Sequence, residues 1–216
     1  MNNKFSFDTI KNFDKHIKIS IPNYDLVFES IIKLTDYFKD DEKNIYDLGC
    51  STGKLLNNIN FKGKKTGLEK NFNLLNQNKE KQKNIEIINY DLNQNYNFNN
   101  ACIIISLFTI VFLKKSIRQE LINNIYNGLV QGGCFIFFEK IYSSESIYQD
   151  IYTFTYYDFK KNKFSYKEIM EKERSLRSIQ KPLTEKENLD ILNKAGFKKI
   201  ECIYRFFNFI GWLCIR

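Results

Sequence analysis

Residues 46–53 read Tyr-Asp-Leu-Gly-Cys-Ser-Thr-Gly, and they constrain the fold more than any other stretch of the chain. A β-rich run over 44–49 feeds into them, and a short helical run over 54–59 leaves them. A strand that ends in a glycine turn and opens a helix is the first unit of an open parallel sheet. The glycines let the backbone turn sharply and approach a ligand closely. The spacing is D-x-G-x-x-x-G, not the G-x-G-x-x-G of dinucleotide folds, so the third glycine that helps seat a pyrophosphate is missing.

The rest of the chain repeats the alternation. Strands are predicted over 65–69, 85–89, 101–106 and 134–140. The run 101–106, Ala-Cys-Ile-Ile-Ile-Ser, is apolar throughout, as the centre of a parallel sheet requires. Helices are predicted over 24–38, over 71–81 with Asn71 as N-cap, over 116–129 closed by Gly132 and Gly133, and over 183–194 ending at Gly196. Strands over 198–204 and 207–215 close the chain. The expectation is one α/β domain over 1–216, doubly wound on a mostly parallel seven-stranded sheet. Residues 1–40 form an N-terminal helical segment, and the aromatic, charged stretch 141–183 is a helical insertion over the sheet. Five parallel strands, a helix and a terminal hairpin form the order of class I S-adenosylmethionine-dependent enzymes.

Composition narrows the chemistry. The 33 Lys and Arg against 25 Asp and Glu leave a net charge of +8, but the lysines scatter and form no dense stripe. Of the five cysteines no two stand at C-x-x-C spacing, and His16 is the lone histidine, so a Cys/His zinc site is not expected. The odd cysteine count and the absence of an apolar leader or an apolar run of 18 residues point to a reducing, cytoplasmic setting without membrane spans.

Three acids mark a ligand site. Asp47 precedes Gly49-Cys50-Ser51 and is placed to order that loop or meet a cationic ligand. Glu69 closes the second strand twenty residues after Gly49, where a carboxylate takes both hydroxyls of a ribose diol. Asp91, followed by Leu92, comes after the third strand, where a carboxylate meets the exocyclic amine of adenine. Singly, the loop is also an ordinary strand–turn–helix and Asp91 is equally a solvated loop acid. Together, at the carboxyl ends of three successive strands, they point to a nucleoside-sulfonium ligand.

The whole chain resembles the carboxy-S-adenosylmethionine synthase family. The likeness rests on FDKHIKISIPNY at 13–24, YDLGCSTG, FTIVFLKKSIRQELINNIYNGLVQGG at 108–133, Glu139-Lys140 with YDFK at 157–160 and YKEI at 166–169, and KAGF at 194–197 with FNF at 207–209. It implies that Tyr24 lies against S-adenosylmethionine or its carboxylated form from the N-terminal helix, that Gly49, Cys50 and Ser51 line the methionine part, that Glu69 holds the ribose, and that Asp91 and Leu92 frame the adenine. It implies no metal, prephenate as second substrate, phenylpyruvate released, a homodimer, and an indirect link to tRNA through a downstream transferase. The family's arginine for the added carboxylate matches Arg174 after a one-residue slip, with Arg177 as fallback, in the chain's own site or a neighbour's.

Three positions depart from the family pattern. Glu69 stands for Asp, Lys70 follows it where the family has an uncharged residue, and Leu107 stands for an asparagine that contacts the ligand. These departures keep two rivals in view. One is an S-adenosylmethionine-dependent methyltransferase acting on a small molecule or RNA, and the other is a non-catalytic nucleoside- or RNA-binding module. His16 is expected to be a plain surface residue. The aromatics Tyr152, Phe154, Tyr156, Tyr157 and Phe159 either wall a pocket or form the core of the insertion.

Overall fold

The computed structural model describes residues 10–77 and 85–216. Two short helices, α1 (Phe13–Ser20) and α2 (Tyr24–Thr35), precede the sheet. The alternating units then run β1 (Asn44–Leu48), α3 (Lys54–Asn58), β2 (Lys64–Glu69), α4 (Phe72–Asn76), β3 (Glu86–Asn89), β4 (Ala101–Leu107), α5 (Lys115–Gly128) and β5 (Leu129–Lys140). After β5 come α6 (Ser146–Lys161), α7 (Tyr166–Ile179), α8 (Glu185–Ala195), β6 (Lys199–Phe206) and β7 (Phe209–Ile215).

The seven strands form one sheet in the order β3-β2-β1-β4-β5-β7-β6. The first five are parallel, and β7 lies antiparallel between β5 and β6. The sheet is therefore mixed, with the expected terminal hairpin. Strand alternation feeds two cores. Ile104, Phe135 and Phe137 face one side, toward Leu121, Ile125 and Leu192 of α5 and α8. Ile103, Ile105, Ile136 and Phe138 face the other, toward Val27, Ile31, Leu56 and Tyr156. A strand buried on both faces has no polar alternation to show, which is why 101–106 reads as a continuous apolar run.

Several boundaries move. Asn71 caps α4 as expected, its side chain accepting from the amides of Asn73 and Leu74, but α4 ends at Asn76 and the residues expected to extend it beyond 77 lie outside the described ones. Gly132 and Gly133 do not close a helix. The helix stops at Gly128, and Gly132, at φ +80°, carries the jog that shifts β5 from pairing Leu129 with Ala101 to pairing Cys134 with Ile103. Within 141–183 the chain forms α6 and α7, and Ser165 and Glu168 close a reciprocal capping box at the start of α7.

Candidate functional site

The carboxyl ends of β1 to β5 open onto a cleft of about 440 Å³, lined by Gly49, Ser51, Glu69, Lys70, Asp91, Leu92 and Leu107 among others. A smaller cavity of about 50 Å³ shares Gly49, Ser51 and Leu107 with it and adds Tyr24, Asp47 and Cys50. The structure thus gathers every predicted ligand residue except Arg174 around two adjoining spaces.

The loop after β1 is held open by its own geometry. Gly49 has φ +70°, and a Cβ there would overlap the Thr109 side chain, so the position accepts glycine alone. Gly67 in β2 serves the same loop from below, since a Cβ there would lie 2.5 Å from Cys50 Sγ. The Cys50 thiol is buried and its pKa is pushed far up by burial and by Asp47 and Glu69, so it packs and does not react.

Glu69 is buried, and both of its oxygens have work. Oε2 accepts the Ser51 amide at 3.1 Å and Oε1 accepts the Asn71 amide at 2.8 Å. Burial raises its pKa while those amides pull against the rise. Each oxygen keeps a second lone pair for a ligand hydroxyl. Asp91 Oδ1 accepts from the Asn93 backbone at 2.9 Å and side chain at 2.8 Å, and Lys70 stands 3.9 Å from Oδ2. Burial pushes Asp91 up, but Asn93, Lys70 and Lys114 outweigh it and hold the carboxyl below its usual range.

Asp47 is the unusual acid. It is 3% exposed, and burial, with Glu69 nearby, lifts its pKa to about 7. A cation beside the group would favour its ionised form. Asp47 lies two residues before Gly49, the loop position that accepts glycine alone.

Neither arginine expected for the carboxylate faces this cleft. Arg174 is exposed, and Arg177 donates to Glu173 at 3.0 Å in a small pocket that shares Lys140, Tyr156 and Gln180 with the cleft. The reason is helical phase. Lys172, Leu176 and Ile179 line the cleft, and Arg174 is rotated about 200° from Lys172 at ~100° per residue. His16, expected at the surface, instead lines the cleft, with its Nε2 2.7 Å from Lys172 Nζ. Burial and the lysines Lys172 and Lys160 lower its pKa to about 4, which keeps the imidazole neutral and able to accept from Lys172. The insertion aromatics divide. Tyr156 walls both the cleft and the small pocket and Tyr157 the small pocket alone, Phe159 stacks on Tyr156, Tyr152 packs on Phe207, and Phe154 is 64% exposed.

The geometry also brings in residues to which motif reading assigned no role. Thr109, Lys140, Lys172 and Phe209 all line the cleft. The signal for Lys172 was the i, i+4, i+7 stripe it forms with Leu176 and Ile179. Arg118 acts from behind, donating from one nitrogen to the carbonyls of Val111 at 3.1 Å and Leu113 at 2.9 Å, which fixes the turn over Ile110–Phe112 at the cleft wall.

Among known proteins, a carboxy-S-adenosyl-L-methionine synthase of Staphylococcus epidermidis is 34% identical over 98% of this chain and 95% of its own length. The chain belongs to the carboxy-S-adenosyl-L-methionine synthase family. The synthase of Sulfurimonas denitrificans is 33% identical over 99% of this chain and 95% of its own. No family model matches the sequence. Several of the solved structures that resemble the fold are methyltransferases. A SAM-dependent methyltransferase of Thermotoga maritima aligns over 94% of this chain and 93% of its own with TM-score 0.60 at 13% identity. Human N-acetylserotonin methyltransferase, solved with SAM, aligns over 88% of this chain and 51% of its own with TM-score 0.59 at 14% identity. This member of the synthase family is an enzyme, a transferase on a class I methyltransferase fold. Among the described residues no group of three His, Cys, Asp or Glu is placed to hold a metal, and no helix is long and apolar enough to cross a membrane.

Proposed function

We propose that this protein converts S-adenosylmethionine and prephenate to carboxy-S-adenosylmethionine and phenylpyruvate, and so supplies the carboxymethyl donor for wobble-uridine modification of tRNA. One observation carries the reading: Asp47, Glu69 and Asp91, from the ends of β1, β2 and β3, converge on one pair of adjoining cavities. Glu69 takes the ribose, Asp91 and Leu92 the adenine, and Tyr24, Asp47, Gly49, Cys50 and Ser51 the methionine part, with Lys70 and Leu107 at the edges. When bound, S-adenosylmethionine supplies an activated methyl carbon. The chain's own residues bind it, orient it and keep water out with the apolar wall of Leu92, Leu107, Phe108 and Phe209.

Arg174, exposed on α7, is assigned to the carboxylate of a neighbouring copy in a cytoplasmic homodimer. The exposed row Ile147, Ile151 and Phe154 on α6 supports such pairing, because three large apolar side chains on one helix face are costly to leave in water. A second reading, a methyltransferase for a small molecule or RNA, draws support from Leu107 and from the absence of Arg174 in the chain's own cleft.

Mass spectrometry of the ligand released from freshly purified protein tests the choice. The expected species is heavier than S-adenosylmethionine by one carbon dioxide. Turnover of S-adenosylmethionine with prephenate that yields only unmodified nucleoside would transfer the case to the methyltransferase. Arg174→Ala is expected to lower formation of the carboxylated product and to leave S-adenosylmethionine affinity unchanged.

A further inference from the structure

The cavity of about 50 Å³ at the methionine end carries charge of both signs. Asp14 from α1 and Asp47 from β1 line it, and so does Lys54, the first residue of α3. Among the described residues Lys54 is the one cation on its walls. The ammonium lies 5.4 Å from the centroid of the Phe28 ring. Phe28 and Tyr24, one turn apart on α2 with ring centroids 6.1 Å apart, line the same cavity.

Nothing local calls for a lysine at 54. The first turn of a helix favours acids over bases. The Phe28 face attracts the ammonium but cannot take up its three N–H donors as a carboxylate would. Among the described residues the half-buried Lys54 side chain makes no ion pair and no hydrogen bond.

The acids limit what can enter. Asp47 is 3% exposed, and Asp14 accepts from Thr52 at 2.8 Å. Burial first, and then Asp47, Asp14 and Asp25, push the pKa of the Tyr24 hydroxyl up, so negative charge dominates the field there. Such a space attracts an ammonium and repels a lone carboxylate. The amino-acid end of a sulfonium nucleoside brings both groups on one carbon. Its ammonium has Asp47, but its carboxylate needs a cation of its own, and Lys54 is the one the cavity offers. The path is continuous. The larger cleft shares Phe13, Ile17, Gly49, Ser51 and Leu107 with this cavity, so a nucleoside whose ribose meets Glu69 reaches Lys54 across that border.

We propose that Lys54 binds the α-carboxylate of the sulfonium nucleoside and, with Asp47 on the ammonium, makes the small cavity a clamp for a zwitterion. This rests on the reading above, because it takes the ribose to lie at Glu69. The clamp makes affinity depend on the intact amino-acid end, which the three acids at the strand ends do not do by themselves. Phe28 holds the lysine in place while the site is open.

Calorimetry with S-adenosylmethionine and with decarboxylated S-adenosylmethionine, which differ by the carboxylate alone, tests the clamp. Lys54→Gln is expected to lose about tenfold in affinity for S-adenosylmethionine, the loss of one charge-assisted contact. The same variant is expected to bind the decarboxylated ligand within about twofold of wild type, because the group that Lys54 serves is already gone. Lys54→Arg is expected to keep most of the S-adenosylmethionine affinity. A lysine that only packs on Phe28 would give equal changes for the two ligands. Thermal melts check folding, and Lys54→Met gives the same reading if Lys54→Gln proves unstable. Equal loss for both ligands, or loss for neither, would overturn the clamp and leave the proposed function standing. Wild-type protein that binds neither ligand would overturn both.

Discussion

Glu69 Oε2 accepts the backbone amide of Ser51 at 3.1 Å, so the carboxylate that ends β2 also braces the glycine loop after β1. The residue assigned to the ribose is therefore part of the scaffold for the methionine end. Glu69→Gln removes the charge and half of this bracing. S-adenosylmethionine affinity is expected to drop about 10- to 100-fold, the span of one hydrogen bond to a charged group. Calorimetry reads the affinity. Glu69→Asp, the family's residue, is expected to bind better than Glu69→Gln, and the reverse order would refute the ribose role.

Gly49→Ala meets two penalties at once, a left-handed backbone at φ +70° and overlap with Thr109. Strain and overpacking together predict a loss of about 2–4 kcal/mol. Gly49→Ala with Thr109→Ser, which removes the methyl but keeps the hydroxyl, should recover only part of it. Urea unfolding midpoints check both.

Asp47 predicts a pH slope. Its folded pKa of about 7 stands above its unfolded value of 3.8, so between those pH values the folded chain holds a proton that the unfolded chain has released. Its contribution to stability therefore falls as pH rises through that window, by at most ~4 kcal/mol, and is flat above it. Asp47→Asn removes this contribution. Melts of both proteins from pH 4.5 to 8 should show the variant gaining on the wild type as pH rises. Ligand binding runs the opposite way: a cation beside Asp47 favours the ionised form, so wild-type affinity for S-adenosylmethionine should rise between pH 6 and 7.5 and stay flat in Asp47→Asn.

Arg118 is 2% exposed and faces Glu139, itself 2% exposed and lifted to about 8 by burial despite the arginine. Arg118→Met frees the carbonyls of Val111 and Leu113 and removes the positive charge beside Glu139, which keeps only the amides of Val111 and Ile110. The expected cost is about 3–5 kcal/mol, with the cleft wall loosened. Arg118→Met with Glu139→Gln should regain much of it, and a variant pair that is simply additive would show that the two do not interact.

The sheet was legible in the sequence because its first five strands end in marked places. Asp47, Glu69 and Asp91 follow a spacing that needs no tertiary information, and each lands where that spacing predicts. The β5 side of the cleft was not legible. Lys140, Tyr156, Lys172 and His16 come from four elements, and only packing brings them together. Arg174 was matched by type alone, and packing adds what type cannot: the helix turns it out of this chain's own cleft while Lys172, two positions earlier, faces in. The length of β5 was hidden for a different reason: Gly132 and Gly133 look like a helix stop, and only the jog in the ladder explains them.

Helix α1 roofs the cleft, yet of its residues only Ser20 is buried. Polar bonds tie its two ends, while His16 meets Lys172 and Ile17 packs against the core in its middle. Asp14 accepts from Thr52 at 2.8 Å and the Phe13 amide donates to Gln77 at 3.0 Å, while the Tyr156 and Tyr204 hydroxyls hold the carbonyls of Ser20 and Pro22. Bonds of this kind are exchanged with water at little net cost, so α1 is expected to open locally before the sheet unfolds. Ligand affinity and the amide exchange of α1 then draw on one opening equilibrium. Substitutions at Thr52 or Gln77, neither of which is assigned to the nucleoside, would shift both together, and drift at such positions could tune how long the ligand stays without altering anything it touches.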